Sequence, residues 1–451
     1  MKQGSVGYEI IRFYVRIAFW LTHKKVLVTG RENIPHGKPV IFAPNHQNAL
    51  MDPLALVCTN RHQTVWLARA DIFKRKPVQA ILKYLKLLPI YRIRDGKENL
   101  TNNEQIFARV IQLLEQKQTI GLFPEAAHSG RRQMLPHKKA VPRIALEAEA
   151  ANNFELDLQI VPVGIYYDHY WFLNRTLIVR YGEPIATGQF RDEYAENLQK
   201  ALLSLRDMIH DRLLPLVLEI GSKEHYPFYE NIRQLAGKAH SKRFFFSKNA
   251  VLQSFFSDQE FIKKLEKLES EQPEVFEQLR EKTGEYFEAL SAEEIDDKQI
   301  RMVGETGIPK MIIRGMLAVL SLPLFIIGFA FNALPFYLPR IIIRRKVKDT
   351  AFLSTFNFAA GLIIFPVFYL IEACLLFHFT GNLYLSILAF FILPLAGKIS
   401  YQLLLFYQEI GSGLTAYTGT KTFRNKLKNL SNRRNEFNEL VLRKIKDTEF
   451  L

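Results

Sequence analysis

Between residues 26 and 215, short apolar runs rich in β-branched residues alternate with longer stretches whose apolar positions recur at helical spacing. The runs at 26–30, 40–43, 64–68, 119–123, 158–163 and 177–181 read as strands, and 53–60, 76–87, 101–117, 138–150 and 191–214 as helices. The alternation predicts an α/β unit whose mostly parallel or mixed sheet is flanked by helices.

The flanks follow other patterns. Residues 5–24 set Ile10, Ile11, Phe13, Tyr14, Ile17, Ala18 and Leu21 at roughly helical spacing, with Arg12, Arg16, Lys24 and Lys25 nearby. This is an amphipathic helix that either lies in a membrane interface or packs on the α/β unit. Residues 216–310 hold charged amphipathic helices at 261–269 and 276–282, separated by Pro273, and read as a helical insert without a catalytic pattern.

Residues 311–398 are strongly apolar. The run 351–377 is long enough to span a bilayer, even with Glu372 inside it, and 382–397 is a shorter return after a turn at Gly381 and Asn382. The run 316–338 carries Pro323, Asn332 and Pro335, so it either crosses once or forms a broken hairpin. Arg340, Arg344, Arg345, Lys346 and Lys348 follow it and belong on the cytoplasmic side, as does the insert before it, which favours a re-entrant or interfacial element. Residues 411–451 are polar and basic, with Lys421, Arg424, Lys426, Lys428, Arg433 and Arg434. A modest apolar stripe at Val441, Leu442 and Ile445 leaves a surface-bound or partly disordered tail as the expectation. The expected partition is 1–24, 25–215, 216–310, 311–398 and 399–451.

Composition narrows the function classes. A chain of 451 residues is too long for one ordinary core. Its net charge of +15 fits nucleic acid, anionic lipid or acidic ligands. No zinc-finger, helix-turn-helix or recognition-sheet signature accompanies the charge, which argues against nucleic acid. The 35 phenylalanines fit lipid contact better. Two cysteines, Cys58 and Cys374, imply no disulfide framework. The apolar stretch 8–22 is interrupted by Glu9, Arg12 and Arg16 and does not read as a cleavable signal, so the α/β half is expected in the cytoplasm.

Four stretches carry candidate chemistry: 44–53 (PNHQNALMDP), 88–94 (LPIYRIR), 122–125 (LFPE) and 160–164 (IVPVG). Each follows or lies in an apolar run, which points to loops at strand ends, where α/β sheets build sites. His46 has the side chain for a general base, and Asp52 can fix its other ring nitrogen. Six positions apart on a continuous helix, the two would point to different sides, so they require a turn leading into a helix. A guanidinium such as that of Arg94 grips phosphate oxygens in a fork. Lys138 and Lys139 either steer an anionic ligand or form a solvated basic face.

The order and rough spacing of these stretches resemble the glycerophospholipid acyltransferase family, across about residues 25–215. The usual motif puts four residues between His and Asp; here five separate His46 from Asp52. The resemblance implies that the α/β unit is an acyltransferase domain; the helical insert and the C-terminal membrane helices that follow it are read from the residue pattern alone. It implies catalytic roles for His46 and Asp52 and substrate contacts at Arg94, with Arg92 beside it. Glu125 is implied to orient the acceptor or the site loops. Where the family has Gly after Phe-Pro-Glu, this chain has Ala126. His128 stands where many members have Arg, so the phosphate contact is open to His128, Arg131 or Arg132. The pair Glu125 and His128 also resembles half a carboxylate-bridged metal site, but the sequence holds no second half, and no metal is expected.

What the resemblance implies is acyl transfer from a thioester, carried by CoA or by acyl carrier protein, to the hydroxyl of glycerol-3-phosphate or lysophosphatidate. The acyl thioester is a co-substrate, and no further cofactor is expected. Membrane lipids are the expected surroundings, with the catalytic domain on the cytoplasmic face. The alternatives are another lysophospholipid or an amino-acid lipid as acceptor, or a non-catalytic lipid-binding tether on the same fold.

Overall fold

A computed structural model describes residues 5–91, 102–170, 173–241, 249–297, 299–301, 308–347 and 352–447. The first helix, α1 (Val6–Thr22), starts at Ser5, whose hydroxyl accepts from the Tyr8 N–H. Strands β1 (His23–Thr29) and β2 (Val40–Pro44) follow, then α2 (Met51–Thr59), β3 (Val65–Arg69), α3 (Lys76–Tyr84) and β4 (Leu87–Ile90). Next come α4 (Asn102–Glu115), β5 (Thr119–Gly121), α5 (Ala140–Ala151), β6 (Gln159–Tyr167), β7 (Arg175–Tyr181) and β8 (Ile185–Ala186). The helices α6 (Arg191–Glu196) and α7 (Leu198–Leu213) close this part of the chain.

The sheet runs in the order β1-β7-β6-β2-β5-β3-β4, with β8 on β6. Its pairs are parallel except β6 with β7 and β6 with β8, so the sheet is mixed, within the expected range. Alternate residues of the central strands enter two cores. Ile41, Ala43, Ile120 and Ile160 face α4, α5 and α7, while Val40, Phe42, Val161 and Val163 face α1 and α2. Burial on both faces explains why these strands read as continuous apolar runs.

Residues Met1–Val217 form one unit together with Pro335–Phe368; Leu218–Leu334 and Tyr369–Leu451 form a second. In the first unit α1 packs one side on the α/β unit. Tyr8 and Phe19 are buried, while Val6, Ile10, Phe13, Ile17 and Trp20 make an exposed apolar stripe at helical spacing.

The second unit contains α8 (Tyr226–Ser241), α9 (Ala250–Glu271) and α10 (Pro273–Ala292), the last beginning at the proline that separates the two charged runs. Three apolar helices follow in the chain: α11 (Ile308–Lys346), α12 (Leu353–Thr380) and α13 (Leu383–Thr418). All three are long and apolar enough to cross a membrane. Of the two readings offered for 316–338, the broken hairpin is not seen: α11 is one continuous helix through Pro323 and Pro335. Asn332 is accommodated inside the second unit: its amide donates to the Gly328 and Leu393 carbonyls at 2.9 and 3.3 Å and accepts from the Tyr369 hydroxyl at 2.7 Å. The α13 helix runs twenty residues beyond the boundary expected at 398.

The basic C-terminal stretch is not a loose tail. It forms α14 (Lys421–Asp447), which buries Leu427, Leu430, Phe437, Val441 and Ile445 and packs on α8 and α10. Arg434 pairs with Asp297 at 2.9 Å, and Lys426 with Glu293 at 2.5 Å. Its apolar positions are spread over five turns, which made the stripe look shorter than it is.

Candidate active site

Parallel pairing of β2 with β5 brings the segments after these strands to the same, C-terminal end of the sheet. Just past β2, Asn45 is fully buried and fastened to β6. Its backbone N–H donates to Val163 O at 3.3 Å, its amide donates to Ile165 O at 3.1 Å, and its Oδ1 accepts from Ile165 N at 2.7 Å. His46 therefore leaves the sheet from a backbone fastened to β6.

Asp52 lies in the first turn of α2, as the turn-into-helix expectation requires. Its Oδ2 accepts from His46 Nδ1 at 2.9 Å and from the backbone N–H groups of Gln47 and Asn48 at 2.8 and 2.7 Å. A buried carboxylate with three donors on one oxygen is well fixed. Because the carboxylate accepts, Nδ1 carries the proton and Nε2 is the basic nitrogen. The extra residue between His46 and Asp52 is absorbed by a tight turn. Ala49 takes a left-handed φ of 37°, and Met51 N donates to Asn48 O at 2.8 Å.

The imidazole stacks on Phe123, ring centroids 4.0 Å apart, and Phe123 stacks in turn on Trp66 at 5.4 Å. Gly121 makes room for that indole: a Cβ there would lie 2.5 Å from a Trp66 ring carbon. On another side of His46 is the His128 ring, edge-on at 5.5 Å. The imidazole side chain remains 15% exposed, enough to be reached by a ligand.

Glu125 is buried and joins two loops. One carboxylate oxygen accepts from His46 N at 2.7 Å, the other from Leu135 N at 2.8 Å. Of the two roles offered for it, orienting the site loops is the one this geometry describes. Ala126 has φ 57°, the conformation for which glycine is the low-strain residue. Ser129 N donates to His46 O at 3.3 Å and closes the loop over the histidine.

The basic candidates separate. Arg132 is buried, its Nη1 and Nη2 donate to the Tyr167 and Asp168 carbonyls at 2.9 Å each, and its guanidinium lies 4.8 Å from the Tyr166 ring centroid. Those contacts tie the loop to the end of β6, so the expected phosphate contact at Arg132 does not fit its surroundings. Arg131 is exposed, and His128 is half-buried next to His46. Arg92 and Arg94 lie outside the described residues. Lys138 and Lys139 are exposed, and Lys139 donates to Gln199 at 2.9 Å, in keeping with a solvated basic face.

Sequence reasoning missed the support behind Asp52. Tyr167 is fully buried there; burial first, and then the Asp52 carboxylate, push its phenol well above the ordinary range, so it stays neutral. Arg175 lies over the Tyr167 ring at 4.5 Å, donates through Nη1 to Tyr170 O at 2.6 Å and through Nε to His23 Nε2 at 3.2 Å. The Tyr170 hydroxyl donates to Gln47 Oε1 at 2.6 Å, and its carbonyl accepts from Asn48 Nδ2 at 3.0 Å. No local pattern marks these residues, because each reaches the His46 loop from more than a hundred positions away.

Residues 25–166 match the family model described as Acyltransferase. A 1-acyl-sn-glycerol-3-phosphate acyltransferase of Borreliella burgdorferi is 25% identical over 172 residues, 38% of this chain and 63% of that protein. Glycerol-3-phosphate O-acyltransferase 2 of Saccharomyces cerevisiae is 28% identical over 132 residues, 29% of this chain and 17% of that protein. The chain thus spans less than two thirds of either relative. Among solved structures, the 1-acyl-sn-glycerophosphate (LPA) acyltransferase PlsC from Thermotoga maritima aligns at 21% identity with a TM-score of 0.35, covering 46% of this chain and 78% of that one.

Proposed function

We propose, from the match of residues 25–166 to the acyltransferase family model, that the chain is a membrane-bound O-acyltransferase of glycerophospholipid synthesis. It moves a fatty acyl group from a thioester, carried by CoA or acyl carrier protein, to the hydroxyl of glycerol-3-phosphate or lysophosphatidate. The catalytic unit faces the cytoplasm.

In this reading His46 Nε2 removes the proton from the acceptor hydroxyl as its oxygen bonds to the thioester carbonyl carbon. The imidazolium so formed is stabilised by Asp52, already hydrogen-bonded to Nδ1. Collapse of the tetrahedral intermediate forms the ester, breaks the carbon–sulfur bond and returns the proton to the departing thiolate. Glu125 keeps the His46 backbone in register with the 126–135 loop throughout. The phosphate of the acceptor is met by exposed basic side chains such as Arg131, with His128 beside the base, and Arg94 and Arg92 complete the set that the family resemblance implies.

The observation that carries the reading is the His46–Asp52 pair, held by three donors on one carboxylate oxygen next to the Glu125 loop. The test is transfer by the purified chain from defined acyl thioesters to glycerol-3-phosphate, lysophosphatidate and phosphate-free acceptors. Ester formation on a phosphate-bearing acceptor is expected. Activity confined to phosphate-free acceptors, or none with any thioester, contradicts it.

A further inference from the structure

The first turns of α12 lie far outside the family-matched residues, yet they belong to the first unit and touch the catalytic loop. Leu50, between His46 and Asp52, donates its N–H to Thr355 Oγ1 at 3.3 Å. Ser354 Oγ donates to Tyr170 O at 2.8 Å, the same carbonyl that accepts from Asn48 and Arg175. Phe358 is buried against Phe19, and the Tyr14 hydroxyl donates to Leu362 O. Ser354, Thr355, Phe358 and Leu362 thus dock one side of α12 on the α/β unit.

Another side of the helix does something different. Phe352 meets the His128 ring edge-on at 5.0 Å, and His128 meets His46 at 5.5 Å. Phe356, Ile363 and Val367 continue from Phe352 at spacings of four, seven and four residues, one stripe of a helix, and all three are exposed. An apolar track therefore starts one ring away from the catalytic imidazole. It continues along a helix long and apolar enough to cross a membrane.

We propose that this stripe holds the hydrocarbon tail of a membrane-resident acyl acceptor, with Phe352 as the residue that senses the tail beside the site. The proposal rests on the acyltransferase reading and sharpens it toward an acceptor that already bears a chain. A track continuous with a membrane-length helix delivers a substrate that resides in the bilayer; a CoA or carrier-protein thioester arrives from water. Ser354 and Thr355 are positioning residues, which keep the track against the catalytic loop.

The test uses the full chain, one acyl-CoA donor, and three acceptors: glycerol-3-phosphate, short-tailed lysophosphatidate and long-tailed lysophosphatidate. Phe352→Ala is expected to raise KM for the long-tailed acceptor about tenfold, as loss of an aromatic contact with the tail would. KM for the donor, and for the short-tailed acceptor, should stay within about twofold of wild type at that scale. Phe352→Leu, which keeps apolar contact and is mild for folding, should restore most of the affinity. An equal change for long and short tails overturns the proposal, as does no change in either variant. A shift in donor KM instead assigns the track to the donor chain and also overturns it. A wild-type chain inert with every acceptor defeats the acyltransferase reading itself, a result distinct from an active enzyme indifferent to Phe352.

Discussion

The carboxylate of Glu125 accepts a hydrogen bond from the backbone N–H of His46 at 2.7 Å, across 79 positions of sequence. Its second oxygen takes the Leu135 N–H at 2.8 Å, so one buried side chain fixes the His46 loop to its neighbour. Removing it strands two N–H groups, each costing about 1–3 kcal/mol if left unsatisfied. Glu125→Ala should lower kcat roughly a hundredfold through misplacement of His46. Glu125→Gln should also lower it, because its amide NH₂ faces one of those two donors. Steady-state kinetics decide the role: a rise in acceptor KM with kcat retained would make Glu125 a substrate contact instead.

Ala126 stands in a left-handed turn and is exposed, so its methyl group contributes no packing. Glycine relieves the left-handed penalty of about 1–2 kcal/mol. It also loosens the unfolded chain by about 0.4–1 kcal/mol. The net expectation for Ala126→Gly is a gain of about 0.5 kcal/mol, seen as a higher thermal midpoint with transfer activity kept. A lower midpoint would mean that the turn accommodates the β-carbon without strain.

His137 is buried, and among the described residues neither ring nitrogen has a hydrogen-bond partner; His210, Arg206 and Asp207 lie nearby. Burial, then the neighbouring His210 and Arg206, lower its pKa from the ordinary 6.5 to about 4. Between those values the unfolded chain binds the proton and the folded one does not, so stability rises with pH across that window. Stability should therefore fall as pH drops from about 6.5 toward 4, and His137→Leu should flatten this part of the profile. Thermal midpoints of both proteins across that range check it; parallel profiles would place the acid sensitivity elsewhere.

Much of the α/β unit was legible because its strands are apolar on both faces and its helices carry clear periodicity. The strand Leu87–Ile90 was not, because four residues including Pro89 give no alternation, and the helix expected to reach 87 stops at Tyr84. A left-handed Lys86, φ 63°, turns the chain between the two. The His46–Asp52 turn was readable from spacing alone. Arg132 was misread because an arginine's partners cannot be seen locally: a surface guanidinium and one holding two distant carbonyls look alike in sequence. The docking of α12 beside the catalytic loop was hidden for a related reason. Apolar residues facing lipid and those facing a protein core give the same pattern.

The central claim is that His46, fixed by Asp52, is the base of an acyl transfer. It is tested most directly by measuring ester formation from an acyl thioester and lysophosphatidate with the full chain and its His46→Ala variant. The account predicts transfer by the wild type and a loss of about a hundredfold or more in the variant, with the fold intact. Transfer by the variant within a few-fold of wild type would contradict it.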